Sequence, residues 1–172
     1  DKNLVHVSFD QESSNVISWY SSVFAEIAKK KNISNAQELK EEIMRERVIL
    51  NFNPENFTLA KVVNTVSALK SAGTKISALV IDGINIKGVT AADLKAVEDF
   101  AKSESMTIWL TATEESSKLS DCAPADVMQL ISAVLHIEPK ADGTSLDVLK
   151  LRDAENCGSL KLDSKTQLIS EK

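Results

Sequence analysis

The run Ile76-Ser77-Ala78-Leu79-Val80-Ile81-Asp82 constrains this chain more than any other stretch. It is nearly continuous in apolar residues, rich in β-branched ones, and closes on a carboxylate. A strand of that kind is buried on both faces, which places it in the middle of a parallel sheet. Parallel neighbours need crossovers, and a helical pattern stands on each side of the run. Before it, Leu59, Val62, Val63, Val66 and Leu69 carry a helix on to Gly73, a suitable residue just past a helix end. Asn53-Pro54 reads as the start of that helix, with Asn53 as cap, Pro54 at the first helical position and Phe57 in the first turns. After the run, Thr90-Ala91-Ala92-Asp93 has the form of a capping box, with Asp where Glu is usual. Leu94, Val97, Phe100 and Ala101 give the next helix its inner face.

The same alternation extends both ways. Leu4 to Phe9 is a β-rich run without strict alternation, again suited to a strand buried on both faces. Residues 14–31 turn helical, with Val16, Trp19, Tyr20, Val23 and Ile27 forming one stripe. Lys29, Lys30 and Lys31 suit the negative end of that helix. Residues 35–47 predict a polar helix with Leu39 and Ile43 inward, and residues 47–52 a strand. Residues 106–111 predict another strand, 114–124 a loop, and 125–131 a short helix. Residues 133–138 and 146–152 predict strands joined by turn chemistry at 141–144, and residues 158–169 a hairpin turning at 163–165. This order predicts an α/β fold, one domain over residues 1–172, with a mostly parallel sheet flanked by helices and a C-terminal antiparallel meander at its edge. Ligands of such sheets sit beyond the carboxyl ends of the strands, where Asp10, Asp82 and Thr111 stand.

Composition removes several classes. A chain of 172 residues suits one domain of about 150. A formal net charge of −5 argues against a general nucleic-acid-coating surface and leaves DNA contact to a local basic groove. Cys122 and Cys157 make neither a disulfide framework nor a structural zinc site. No apolar run approaches the roughly 20 residues of a membrane helix, and no signal-peptide pattern opens the sequence. The expectation is a cytoplasmic protein without membrane contact. Opening on Asp rather than Met reads as a trimmed or processed piece of something longer. His6 and His136, both within apolar runs, read as histidines packed in the core or the sheet. No Ser-His-Asp set, metal cluster or Gly-rich dinucleotide loop appears, which weakens the case for an unrelated α/β enzyme.

Taken in order, these residues resemble a family. An apolar strand closing on Asp82, then a strand ending Trp109-Leu110-Thr111, resembles the core of the RecA-like P-loop ATPases. The ending Val148-Leu149-Lys150-Leu151-Arg152 is similar to the KaiC-like branch, where a hairpin carries a Val-Leu-Lys-x-Arg strand. Val5 to Asp10 is similar to the strand that follows the P-loop helix and ends in the catalytic glutamate. Two departures stand out. No G-x-x-x-x-G-K-[ST] occurs, and Gly73-Thr74-Lys75 follows a helix and precedes a strand, the reverse of a P-loop's setting. The resemblance therefore implies that the P-loop strand and helix precede Asp1 or are lost. Asp10 also stands where the glutamate is expected, one methylene shorter, with Gln11 after it.

The resemblance implies roles for five residues. Asp82 holds a water of a Mg²⁺ shell, Thr111 senses a γ-phosphate or its water, and Asp10 activates water. Lys150 and Arg152, read on one face of a strand, reach the neighbouring subunit's nucleotide as an arginine finger does. It further implies ATP and Mg²⁺ as cofactors if a P-loop stands upstream and none otherwise, and a homo-oligomer, hexameric as in the family. The alternative is a degenerate, catalytically inactive RecA-like module that binds a protein partner. In that reading Asp82 begins a turn with Gly83, Thr111 ends a strand, and Lys150 and Arg152 form a solvated face with Leu149 and Leu151 inward. Trp19 and Tyr20 read as core or groove-lining, and Glu114, Glu115 and Asp121 as a solvated loop.

Overall fold

Strand β1 (Asn3–Ser8) lies at the centre of a parallel sheet because its side chains fit no surface. Val5 and Val7 are fully buried, and His6 and Ser8 are buried beside them. The computed structural model describes residues 3–53, 58–141, 143–163 and 165–170. β1 pairs with β2 (Arg47–Asn51) on one side and β3 (Ile76–Asp82) on the other, and β4 (Thr107–Leu110) lies beyond β3. All three pairings are parallel. The crossovers are α1 (Ser13–Lys30) with α2 (Ala36–Arg45), then α3 (Leu59–Ser71), then α4 (Ala91–Ser103). Strand order β2-β1-β3-β4 means that the chain first steps one way from β1 and then returns past it. Right-handed crossovers then put α3 and α4 on the same face, where they pack together. The molecule is α/β, as the strand–helix alternation predicts.

The chain divides into two compact units, Asp1–Trp19 with Gln37–Thr113, and Tyr20–Ala36 with Glu114–Lys172. The parallel sheet belongs to the first. Its helices begin and end where the sequence places signals, with one exception. Gly73, at φ +97°, closes α3: its amide donates to Lys70 O at 2.9 Å and the Thr74 amide to Leu69 O at 3.1 Å. That pair of bonds is the Schellman arrangement. Thr90 opens α4 with the full capping box, its hydroxyl accepting from the Asp93 amide at 3.2 Å. The exception is the start of α3. Thr58, in extended conformation, is its cap and accepts from the Lys61 amide at 3.2 Å, so Asn53 is not the cap. The expected Pro54 and Phe57 positions lie outside the described residues. Two cap-competent residues stand before the same apolar stripe, and the sequence pattern does not rank them. Trp19 also departs from expectation: it is exposed while Val16 is buried. At 100° per residue Trp19 falls at the margin of the stripe that Val16, Tyr20, Val23 and Ile27 define.

In the second unit the antiparallel strands form a sheet of their own rather than an edge of the first. It contains β5 (Ala133–Lys140), β6 (Gly143–Leu151), β7 (Ala154–Glu155) and β8 (Ser159–Leu162), with both β7 and β8 pairing with β6. α5 (Leu119–Cys122) and α6 (Ala125–Leu130) precede it, so the expected loop carries one helical turn. The terminal turn is organised by Asp163. Its carboxylate accepts from the Thr166 amide at 2.8 Å, the Thr166 hydroxyl at 2.9 Å and the Lys165 amide at 3.1 Å. Those donors, Thr166 foremost, hold it far below the ordinary carboxylate range. Lys30, in the last turn of α1, completes the arrangement at 3.3 Å.

Leu79 is fully buried at the middle of β3, so Leu79→Ala should cost about 2–5 kcal/mol. Thr90→Ala, which removes only the cap of α4, should cost about 1 kcal/mol. Urea unfolding followed by circular dichroism separates the two, and equal costs would contradict this placement of the core.

Candidate functional site

The parallel register brings Ser8 opposite Asp82 at the carboxyl ends of β1 and β3. This is where the connections diverge, since β1 leads to β2 on one side and β3 to β4 on the other. Open α/β sheets bind their ligands in the crevice at such a switch point. The first unit therefore gathers its polar groups where a ligand site belongs.

Three loops build the cluster. After β1, the Phe9 amide donates to Asp82 O at 3.3 Å and the Phe52 amide to Ser8 O at 3.1 Å. These bonds hold the loop to both neighbouring strands, and the Phe9 ring lies against Phe52, centroids 6.2 Å apart. Asp10 stands two residues past the strand end. Its carboxylate accepts from the Ser8 hydroxyl at 3.3 Å, while the Gln11 amide donates to the same hydroxyl at 3.1 Å. After β3, Gly83 turns at φ +80°, and a side chain there would come within 2.8 Å of the Asp10 carboxylate. Glycine is required twice over, for backbone conformation and for space. After β4, Thr111 locks the last two loops together. Its amide donates to Ile81 O and the Ile84 amide donates to Thr111 O, both at 2.9 Å. Its hydroxyl accepts from the Gly83 amide at 3.0 Å and donates to the Asp82 carboxylate.

Asp82 is the electrostatic centre. His6, buried on β1, places Nε2 3.8 Å from Asp82 Oδ2, an electrostatic contact longer than a hydrogen bond. His6 is the largest influence holding the Asp82 carboxyl below its ordinary value, with the Thr111 and Ser8 hydroxyls adding to it. Partial burial pulls the other way and is outweighed. His6 reads from the sequence as a core histidine, and it is buried. Its approach to Asp82 is what sequence reasoning misses. The available signal is that His6 and Ser8 are two apart on one strand and so share a face.

Asp10, Asp82 and Thr111 thus come together in the first unit. Lys150 and Arg152 belong to the second unit, and the expectation that they share a strand face is corrected. β6 ends at Leu151, and Arg152 opens a two-residue hairpin turn at φ +55°, its amide donating to Ser132 O. Primed hairpin turns require positive φ at this place, so the turn removes Arg152 from the strand alternation. The Lys150 ammonium donates to Met128 O at 2.6 Å. Leu149 is buried as expected, but Leu151 is exposed.

Among the described residues, no group of three or more His, Cys, Asp or Glu side chains is placed to hold a metal ion. Asp82 offers one partly exposed carboxylate with a hydroxyl beside it, which suits a Mg²⁺ ion that takes few protein ligands and keeps its waters. Among the described residues, no helix is long and apolar enough to cross a membrane. No protein-family model matches the chain, and no curated protein matches its sequence.

A lowered Asp82 pKa contributes stability above the ordinary aspartate value of about 3.9 and loses it as pH falls through the folded-state value. Thr111→Val removes one cause of that lowering and leaves the Gly83 amide without its acceptor. The variant should be less stable than the parent by about 1 kcal/mol at pH 7. The gap should narrow as pH falls below about 4, and carbon-detected NMR titration should show the Asp82 pKa moving up. An unmoved pKa would mean that the hydroxyl does not stabilise the carboxylate.

Proposed function

We propose that this chain is part of a RecA-like, KaiC-branch ATP-binding regulatory ATPase whose P-loop lies upstream or is lost. The observation that carries the reading is the constellation at the switch point. Asp82 ends the strand between β1 and β4, Thr111 hydrogen-bonds it from just past β4, and Asp10 stands two residues past the end of β1. The three residues to which the resemblance gives roles within one subunit are thus neighbours, which supports the reading. In this reading Mg²⁺ accompanies ATP and supplies charge neutralisation at the phosphates. Asp82 orients a water of its shell, Thr111 fixes that carboxylate and the Gly83 turn, and Asp10 is the group nearest to a water-activating position.

A second reading, a catalytically inactive module that binds a protein partner, is favoured by a separate observation. Lys150 is engaged by the Met128 carbonyl and Arg152 sits in a turn. A finger acting on a neighbouring subunit's nucleotide would have to give up the first of these bonds.

The two readings part under calorimetry and mutagenesis. The chain by itself lacks the backbone cradle that supplies most phosphate contacts, so it should bind ATP–Mg²⁺ no better than about millimolar. In a form that carries a Gly-rich Lys-Ser/Thr loop upstream, Asp82→Asn should lower Mg²⁺-dependent turnover by about tenfold or more while circular dichroism stays unchanged. In the same form Asp10→Glu should raise turnover. Full Mg²⁺-dependent turnover in Asp82→Asn would remove Asp82 from the machinery and leave the partner-binding reading.

A further inference from the structure

Asp82 and Gly83 form an aspartyl–glycyl bond, the sequence at which a peptide chain most readily attacks itself. Glycine has no side chain to hinder its own nitrogen. That nitrogen attacks Cγ of the protonated Asp82 carboxyl and gives up its proton. The N–Cγ bond forms, the Cγ–OH bond breaks, and one water leaves, giving a five-membered succinimide. Water then opens the ring. Attack at Cγ restores aspartate. Attack at the former backbone carbonyl breaks the original peptide bond and leaves isoaspartate, with the chain running through the side chain. The backbone gains a methylene, and the carboxylate leaves its place at the end of β3.

The fold has no freedom to replace the glycine. Gly83 turns at φ +80°, and a side chain there would come within 2.8 Å of Asp10 Oδ1. The structure instead holds the reacting groups apart. Asp82 keeps the extended backbone of β3, in which the next nitrogen is turned away from the side chain, so ring closure has to rotate the Asp82–Gly83 peptide plane. That rotation breaks a bond on each side of the plane: the Phe9 amide to Asp82 O at 3.3 Å, and the Gly83 amide to Thr111 Oγ1 at 3.0 Å. The same Thr111 hydroxyl donates to the Asp82 carboxylate. One hydroxyl therefore engages the nucleophile and the electrophile together. Thr111 is itself fixed, by its amide to Ile81 O and by the Ile84 amide to its own carbonyl, both at 2.9 Å. We propose that Asp82–Gly83 is a latent self-modification site, and that the Thr111 hydroxyl is the latch that keeps it closed in the folded chain. This inference does not rest on the nucleotide reading.

Ageing the chain in neutral buffer at body temperature, followed by proteolytic mapping and electron-transfer mass spectrometry, tests it. Succinimide registers as the loss of one water from the peptide holding residues 82 and 83, and isoaspartate by its own fragment ions. The folded parent should convert at Asp82 about tenfold or more slowly than the same chain held unfolded in urea, since closure costs it at least one hydrogen bond. Thr111→Val should speed conversion in the folded chain about tenfold, the rate equivalent of that bond. Thr111→Ser, which keeps the hydroxyl, should age at the parent rate. Asp142-Gly143 has the same two residues and serves as the internal reference, whose rate neither substitution should change. A Thr111→Val chain that ages at the parent rate, or faster only in proportion to its unfolded fraction, overturns the inference. Thr111→Ser ageing like Thr111→Val overturns it as well, as does a folded parent that converts as fast as the unfolded one. An equal acceleration at Asp142 would place the cause in global unfolding and count against the latch in the same way.

Discussion

The pairing of β1 with β3 is the constraint on which the first unit depends. β1 is buried on both sides and is therefore held in register by its whole length, from Leu4 opposite Ala78 to Ser8 opposite Asp82. A slip of one residue would turn His6 and Ser8 to the opposite face and carry them away from Asp82. With the register set, Ser8 organises Asp10, Asp82 engages His6 and Thr111, and Gly83 passes close to the Asp10 carboxylate. The site is thus a consequence of how apolar strands exclude water, since the polar residues are carried to one place by packing that does not involve them.

The cluster is largely satisfied from within. The Thr111 hydroxyl both accepts and donates, the Ser8 hydroxyl does the same, and Asp82 is stabilised in its ionised form. An arrangement so closed keeps its geometry without a ligand, which is the condition for a preorganised site. It also limits what the cluster does alone. It presents carboxylates and no cationic group to a phosphate, so any nucleotide-binding role draws on positive charge and backbone amides from elsewhere.

The second unit follows a different logic. On one face of its sheet Ser145 hydrogen-bonds with Asp147 and Ser159, and on the other Leu135, Ile137 and Leu160 are exposed while Leu162 is buried. Of the three only Ser145 is buried, and its hydroxyl is satisfied by the other two. The two sheets therefore differ in chemistry: one gathers ionisable groups at its strand ends, the other alternates polar and apolar faces that are each partly exposed.

The sequence by itself determined the strand–helix alternation. Ile76–Asp82 is too apolar for an edge, Gly73 and Thr90 mark helix boundaries by conformations and hydrogen bonds that belong to those residue types, and the order of elements implies parallel pairing. It also placed Asp10, Asp82 and Thr111 at or just past strand ends, because local pattern decides where a strand stops. Tertiary structure decided what local pattern does not contain. Strand order put Ser8 and Asp82 side by side and made His6, an ordinary core histidine by its neighbours in sequence, a partner of Asp82. A positive-φ turn took Arg152 off the strand that its alternation with Lys150 predicted. The antiparallel strands closed into their own sheet, although alternation alone says only that two faces differ, not which sheet a strand joins. Periodicity is a property of one segment, whereas burial and register belong to pairs of segments, and only the folded chain brings those pairs together.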